Sequence, residues 1–251
     1  MSVTYKTYFN ILTFAPNSYW LWFVLAFNAG CINLGAFLAS NRFVTHITGY
    51  ATYVGEELSI GNFNRAILLF SVPAFFILGS SISAIFTDRY RLKQVPPRFT
   101  TVFFMIFCIL LFVSIMGPKG IFGTFGSSID FLPNYFLLCL LAMASGMQNG
   151  MISTATGLLV RTTHLTGIST DLGVGIVRWI SNSSNDEEKI KEFKTNILRI
   201  GTITSFILGS MFSSLFFRNF EYYGFFIPTL IIGILTVYNL KNKILHKVAS
   251  Q

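Results

Sequence analysis

The chain has 251 residues, a formal net charge of +8, 53% hydrophobic residues and only 11% charged residues. Soluble domains carry nearer ~25% charged residues, so this composition excludes an ordinary water-soluble globule and points to helices that span a bilayer. Most of the positive charge lies between apolar runs. It matches no C2H2, RNP-like or basic-helix pattern, so it reads as positive-inside bias and excludes a nucleic-acid module.

In chain order, residues 1–17 form a polar to aromatic lead-in. Six spans are then predicted: 18–40, Arg65–Thr87, Thr100–Met116, Tyr135–Val160, Thr195–Phe217 and Tyr222–Leu240. Each has about enough residues to cross ~30 Å of hydrocarbon. The first is longer than a signal-peptide core and has only Lys6 as a basic side chain ahead of it, so it reads as a retained helix. Residues Asn185–Lys194 are charged with mixed sign and read as a solvated loop. Cys31, Cys108 and Cys139 lie in apolar runs, at spacings that support neither a disulfide framework nor a metal site.

With six spans and a cytoplasmic N-terminus, the inner side carries 14 Lys and Arg residues and the outer side only Arg42, Arg65, Lys119 and Arg218. This bias places both termini inside. Residues 41–60 and 161–180 fit short or re-entrant segments. As full crossings they would make eight spans and weaken the charge bias.

The chain contains an internal repeat. Thr45-His46-Ile47-Thr48-Gly49 returns as Thr163-His164-Leu165-Thr166-Gly167. Gly30-Cys31-Ile32-Asn33 precedes the first copy and Gly146-Met147-Gln148-Asn149 the second. Downstream, Phe76-Ile77-Leu78-Gly79-Ser80 returns as Phe206-Ile207-Leu208-Gly209-Ser210. Three spans per copy is an odd number, so the copies should face opposite ways across the membrane, as in many secondary transporters. The expected architecture is an all-α polytopic membrane protein, one domain over 1–251. It has six transmembrane helices in two inverted three-helix repeats, about 18–117 and about 135–240. Each repeat holds a short or re-entrant Thr-His-x-Thr-Gly segment.

The candidate substrate-binding residues are Asn33, Thr45, His46, Thr48, Asn149, Thr163, His164, Thr166 and Asp171. A histidine in hydrocarbon needs a partner. Each could brace a helix break through backbone carbonyls, carry protons, bind an anion when charged, or ligate a metal. Two histidines without a carboxylate or thiolate cluster make a thin metal site, so no metal or cofactor is assigned. The threonines and following glycines suit a helix start, by capping alone or with ligand contact. Asn33 and Asn149 could bind a polar ligand or link helices. The glycines of the spans, Gly30, Gly79, Gly146 and Gly209 among them, suit close helix packing. Asp171 lies seven residues after His164 and seven before Arg178, a spacing that suits a proton relay or an ion pair if the segment is helical.

These motifs, with Gly150 and the run Val160-Arg161-Thr162, resemble the YoaK-like bacterial integral membrane family, domain of unknown function 1275, over residues 18–240. The resemblance implies a small polytopic protein of the bacterial inner membrane and supplies no catalytic or binding residues. The chain departs from the family pattern at Asn33, Tyr50 and His164, which weakens a mechanism common to the family that needs both histidines.

The expected function is a membrane transporter or channel for a small polar or anionic solute, with the histidines available for proton coupling. The rival is a non-transporting membrane protein that binds or senses a lipid, a hydrophobic ligand or a partner protein. Membrane lipid and a small solute or proton are the expected partners, and an oligomer is compatible with the sequence. No HExxH, GxSxG, paired carboxylates or nucleotide-binding glycine loop occurs, so no enzyme is expected and no catalytic residue is named.

Overall fold

The structure is a computed structural model that describes residues 19–89, 95–127, 132–155, 165–181 and 186–249. Among these the chain forms α1 Tyr19–Ser40, α2 Ile47–Ser59, α3 Phe63–Thr87, α4 Phe99–Met116, α5 Leu132–Ala155, α6 Leu165–Ser181 and α7 Asp186–Phe220. A 3-10 turn, Glu221–Phe225, leads into α8 Phe226–Ala249. Five apolar helical stretches are long enough to cross a membrane: α1, α3, α4, α5 and Glu187–Lys241. The last stretch holds α7, the 3-10 turn and α8, and Glu221 breaks it with a φ of 51°. At 13 and 17 residues, α2 and α6 fall short of the ~20 residues a crossing needs.

Side-chain placement follows the demands of lipid. Ile67, Phe70, Ile77, Ile85, Phe104, Met211, Leu215, Leu230 and Ile234 are exposed on the outer surface, where hydrocarbon and not water would meet them. The chain is therefore a multi-span membrane protein in contact with lipid.

The central helices are α1 and α5, the most buried of the apolar stretches. They do not pack chiefly on their sequence neighbours. α1 lies along α7, and α5 lies along α3. Glycine makes both approaches close. A Cβ at Gly30 would stand 3.0 Å from the Phe206 carbonyl carbon, and one at Gly146 would stand 2.9 Å from that of Phe76. The reverse positions match: Gly79 faces the Met143 carbonyl and Gly209 the Phe27 carbonyl. Hydroxyls complete the pattern. Ser210 donates to the Gly30 carbonyl at 3.1 Å, and Ser80 donates to the Gly146 carbonyl at 3.0 Å. Close backbone approach with a small hydroxyl donor is how helices associate where lipid offers no hydrophobic drive.

One end of the bundle is filled by rings. Phe217 and Phe225 pack at 4.8 Å and meet the face of α1 at Gly35. Phe125 stands 5.1 Å from Tyr222. The Tyr222 hydroxyl donates to the Gly123 carbonyl at 3.2 Å, and the Gly126 N–H donates to the Ala39 carbonyl at 3.0 Å. Here α1, α4 and α7 finish, while α5 and α8 begin. At the opposite end the Thr154 hydroxyl of α5 donates to that of Thr87 on α3 at 2.8 Å.

Two boundaries differ from the sequence reading. The charged segment 186–194, expected to be a solvated loop, forms the first turns of α7. Its Asp186-Glu187-Glu188 start suits a helix N-terminus, where acidic groups complement the helix dipole. α5 begins at Leu132, with Pro133 in its first turn, where its missing N–H costs nothing.

Candidate functional site

α1 runs on for two turns past Asn33 before it stops at Ser40. Asn41 then takes a left-handed φ of 55°, and the chain turns back. The Thr45 hydroxyl and N–H both donate to Asn33 Oδ1, at 2.9 and 3.3 Å. Residues 41–45 therefore return along the last ~10 Å of α1. Val44, fully buried, anchors this return from the apolar side. Non-helical backbone at membrane depth has to be held by protein groups, and Asn33 supplies them here.

His46 stands just before α2. Its carbonyl accepts the N–H groups of Gly49 and Tyr50, at 3.0 and 3.3 Å. Its side chain is exposed and makes no capping hydrogen bond. The ring lies against Gly49, where a Cβ would come within 2.7 Å of Nδ1. Thr48 is also exposed, and its carbonyl accepts the Thr52 hydroxyl at 3.1 Å.

In the second copy, Thr163 and His164 lie outside the described residues. Thr166 is exposed, and its carbonyl accepts the Thr170 hydroxyl at 3.0 Å, as Thr48 accepts that of Thr52. Asn149 is buried on α5. Asp171 is exposed on α6 and forms no ion pair with Arg178. The structure thus joins Asn33 to Thr45 and places His46 and Thr48 beside them at the start of α2.

A polar cluster that includes Arg65, counted on the outer side in the sequence, lies at the far end of α2. Glu57 pairs with Arg65 at 3.2 Å and accepts from the Asn62 amide at 2.9 Å. Arg65 also lies beside Tyr135 on α5. Arg42 sits 4.0 Å above the ring of Tyr53, a cation–π geometry. Tyr50 lies beneath, buried, with no partner for its hydroxyl. Burial pushes its phenol above the ordinary tyrosine range, although nearby Arg42 pulls the other way.

The centre of the bundle holds a pair that the repeat did not reveal. Asn28 on α1 donates its amide to Gln148 Oε1 on α5 at 3.0 Å, and Gln148 Nε2 donates to the Leu25 carbonyl at 2.9 Å. Both side chains are fully buried, and Asn28 Oδ1 has no partner. The signal was an amide inside each apolar span. The repeat does not mark it, because it aligns Asn28 with Ala144 and Gln148 with Ile32. Next to this pair, toward the start of α1, lies an apolar pocket of about 20 Å³ lined by Leu21, Trp22, Leu25, Phe99, Phe103, Met151, Ile152, Ala155 and Asn239. Among the described residues, no three His, Cys, Asp or Glu side chains gather as a metal site would require.

No curated protein and no solved structure matches the chain. Residues 21–238, most of its length and both copies of the repeat, match the model of the family described as protein of unknown function, DUF1275, and the protein belongs to that family.

Proposed function

We propose that the protein is a transporter or channel for a small polar or anionic solute in the bacterial inner membrane, with both termini cytoplasmic. Its six crossing helices form two inverted repeats: α1, α3 and α4 make one, and α5, α7 and α8 the other. The observation that carries this reading is the exchange of partners between copies. Gly30 meets Phe206 and Ser210 just as Gly146 meets Phe76 and Ser80. Each repeat is thus completed by the other, an arrangement that lets one half rock against its mate around a midplane site.

The two ends of the bundle also differ in a way that suits alternating access. Trp22, Leu25, Met151 and Ile152 border a small, mostly apolar void. Gly35, at the position equivalent to Met151, packs against Phe217 and Phe225, so that end is stopped by rings. One end is therefore stopped by rings, while the other keeps only a small void of about 20 Å³. In this reading Asn33, Thr45, His46 and Thr48 serve one entry. Asn149, Thr163, His164 and Thr166 serve the other with Asp171, and the histidines pass protons. No chemical transformation of the solute is involved.

A second reading has one observation in its favour. The small pocket near the start of α1 is lined mostly by apolar side chains, which suits a protein that binds a lipid or hydrophobic ligand without moving it. Purified protein in liposomes distinguishes the two. Transport predicts solute flux or proton movement above empty vesicles, with the proton-linked part reduced in His46→Gln. Absence of any flux across a broad screen of anions and neutral polar solutes would falsify the transport reading.

A further inference from the structure

A groove of about 720 Å³ runs along the outer surface between α4 and α8. Leu230, Ile234, Val237 and Lys241 line it from α8, at a spacing that keeps them on one helix face. The first three are exposed, and Phe104 and Phe107 of α4 form the opposite wall. Gly233 lets the helices meet closely here, because a Cβ there would stand 3.1 Å from the Phe107 ring. The Thr236 hydroxyl also borders the groove, but it donates to the Ile232 carbonyl of its own helix at 2.7 Å. The groove is therefore apolar along its length and ends on a cation.

Its length and level fit one leaflet. Leu230 and Lys241 are separated by ~16 Å of helix. Half of a ~30 Å hydrocarbon core is ~15 Å. The cationic end lies at the headgroup level, since Tyr238 meets Trp20 edge-on at 5.3 Å, and such aromatic residues favour the interface. Lys241 is exposed and forms no ion pair among the described residues. A second copy fits the groove poorly. A twofold axis along the membrane normal would pair residues of equal depth and bring Lys241 against its own counterpart. We propose that the groove binds one anionic phospholipid, with an acyl chain along Leu230, Ile234 and Val237 and the phosphodiester at Lys241. In the orientation proposed above this is the inner leaflet, where basic pockets between helices hold anionic headgroups. The site stands whether or not the protein moves a solute.

Native mass spectrometry of the full chain provides the test. The protein is released from nanodiscs that contain phosphatidylglycerol and phosphatidylcholine in equal amounts with identical acyl chains. The ratio of the two one-lipid complexes is read. The parent should favour phosphatidylglycerol at least about fivefold, the effect of one lysine near an anionic headgroup. Lys241→Gln should lower the ratio about fivefold. Lys194→Gln is the control, because Lys194 is exposed at the start of α7, at the same end of the bundle but outside the groove lining. It should leave the ratio unchanged. Val237→Trp fills the groove from its exposed side and should remove the retained lipid of either headgroup. A ratio that Lys241→Gln and Lys194→Gln lower equally would reduce the preference to general surface charge and overturn the site. So would lipid retention indifferent to Val237→Trp. A dimer of the parent that Val237→Trp dissociates would give the groove to a second copy and overturn it as well.

Discussion

Gly30→Ala tests the close approach of α1 and α7 most directly. The added Cβ would stand 3.0 Å from the Phe206 carbonyl carbon and nearer still to its oxygen. Ordinary C···O contact begins near ~3.3 Å, so α1 and α7 must separate by about 1 Å. That shift stretches the Ser210 bond to the Gly30 carbonyl from 3.1 Å and the Cys31 Sγ contact with the Gly209 carbonyl from 3.3 Å. Overpacking costs about 1–3 kcal/mol, and a lost interhelical hydrogen bond adds about 0.6 kcal/mol. The better helix propensity of Ala returns about 1 kcal/mol. The net expectation is a loss of about 0.6–2.6 kcal/mol. Gly55→Ala is the matched control, because a Cβ there meets nothing within 4 Å. It should be neutral or stabilising by up to about 1 kcal/mol. Thiol-reactive dye labelling during heating reads the result in a Cys108→Ser background, since Cys31 and Cys139 are buried. Cys31 should react at a lower temperature in Gly30→Ala, and Gly146→Ala should melt early to a similar degree. If Gly30→Ala melted with Gly55→Ala, at or above the parent, the close approach would be refuted.

Asn33→Leu removes the acceptor for two donors of Thr45 and should raise amide exchange in residues 41–50 by at least about tenfold, while Thr45→Val, which keeps the N–H bond, should have the smaller effect. Glu57→Gln keeps the amide contact with Asn62 but removes the charge facing Arg65, whose side chain is 45% exposed. A double-mutant cycle with Arg65→Met should return less than about 1 kcal/mol, and a larger coupling would mean that the pair is shielded from solvent. Tyr50→Phe should be neutral or stabilising, because it removes a buried hydroxyl without a partner. Its alkaline behaviour follows from the raised phenol. The folded state holds that proton longer than the unfolded state, so this stability is fully present below the unfolded value near ~10 and falls as pH rises beyond it. Tyr50→Phe should lessen the loss of stability seen in melts above pH ~10, and an unchanged loss would show that the phenol titrates normally.

Much of the helical framework is legible in the apolar runs. α1, α3 and α4 fall within a residue or two of the spans read from hydropathy, because hydrocarbon allows a chain little but helix. The glycine and serine pairs were legible as well, since small residues recurring at matched places mean close packing. The first turns of α7 were not, because a helix that continues beyond the apolar layer changes composition without changing conformation.

Of the candidate site, the sequence by itself determined that two polar motifs sit in equivalent places within an apolar chain. Only tertiary structure decided what they touch. Asn33 meets Thr45 because Asn41 reverses the chain, a left-handed step that hydropathy does not register. Asn28 meets Gln148 because α1 and α5 are neighbours at the centre of the bundle, 120 residues apart in sequence. The repeat hides that pair because its two members stand at non-equivalent positions. Local pattern governs which segments must be helical, since every backbone group in lipid has to be satisfied within its own segment. Which side chains meet depends on how the finished helices cross, and that is a property of the assembled bundle.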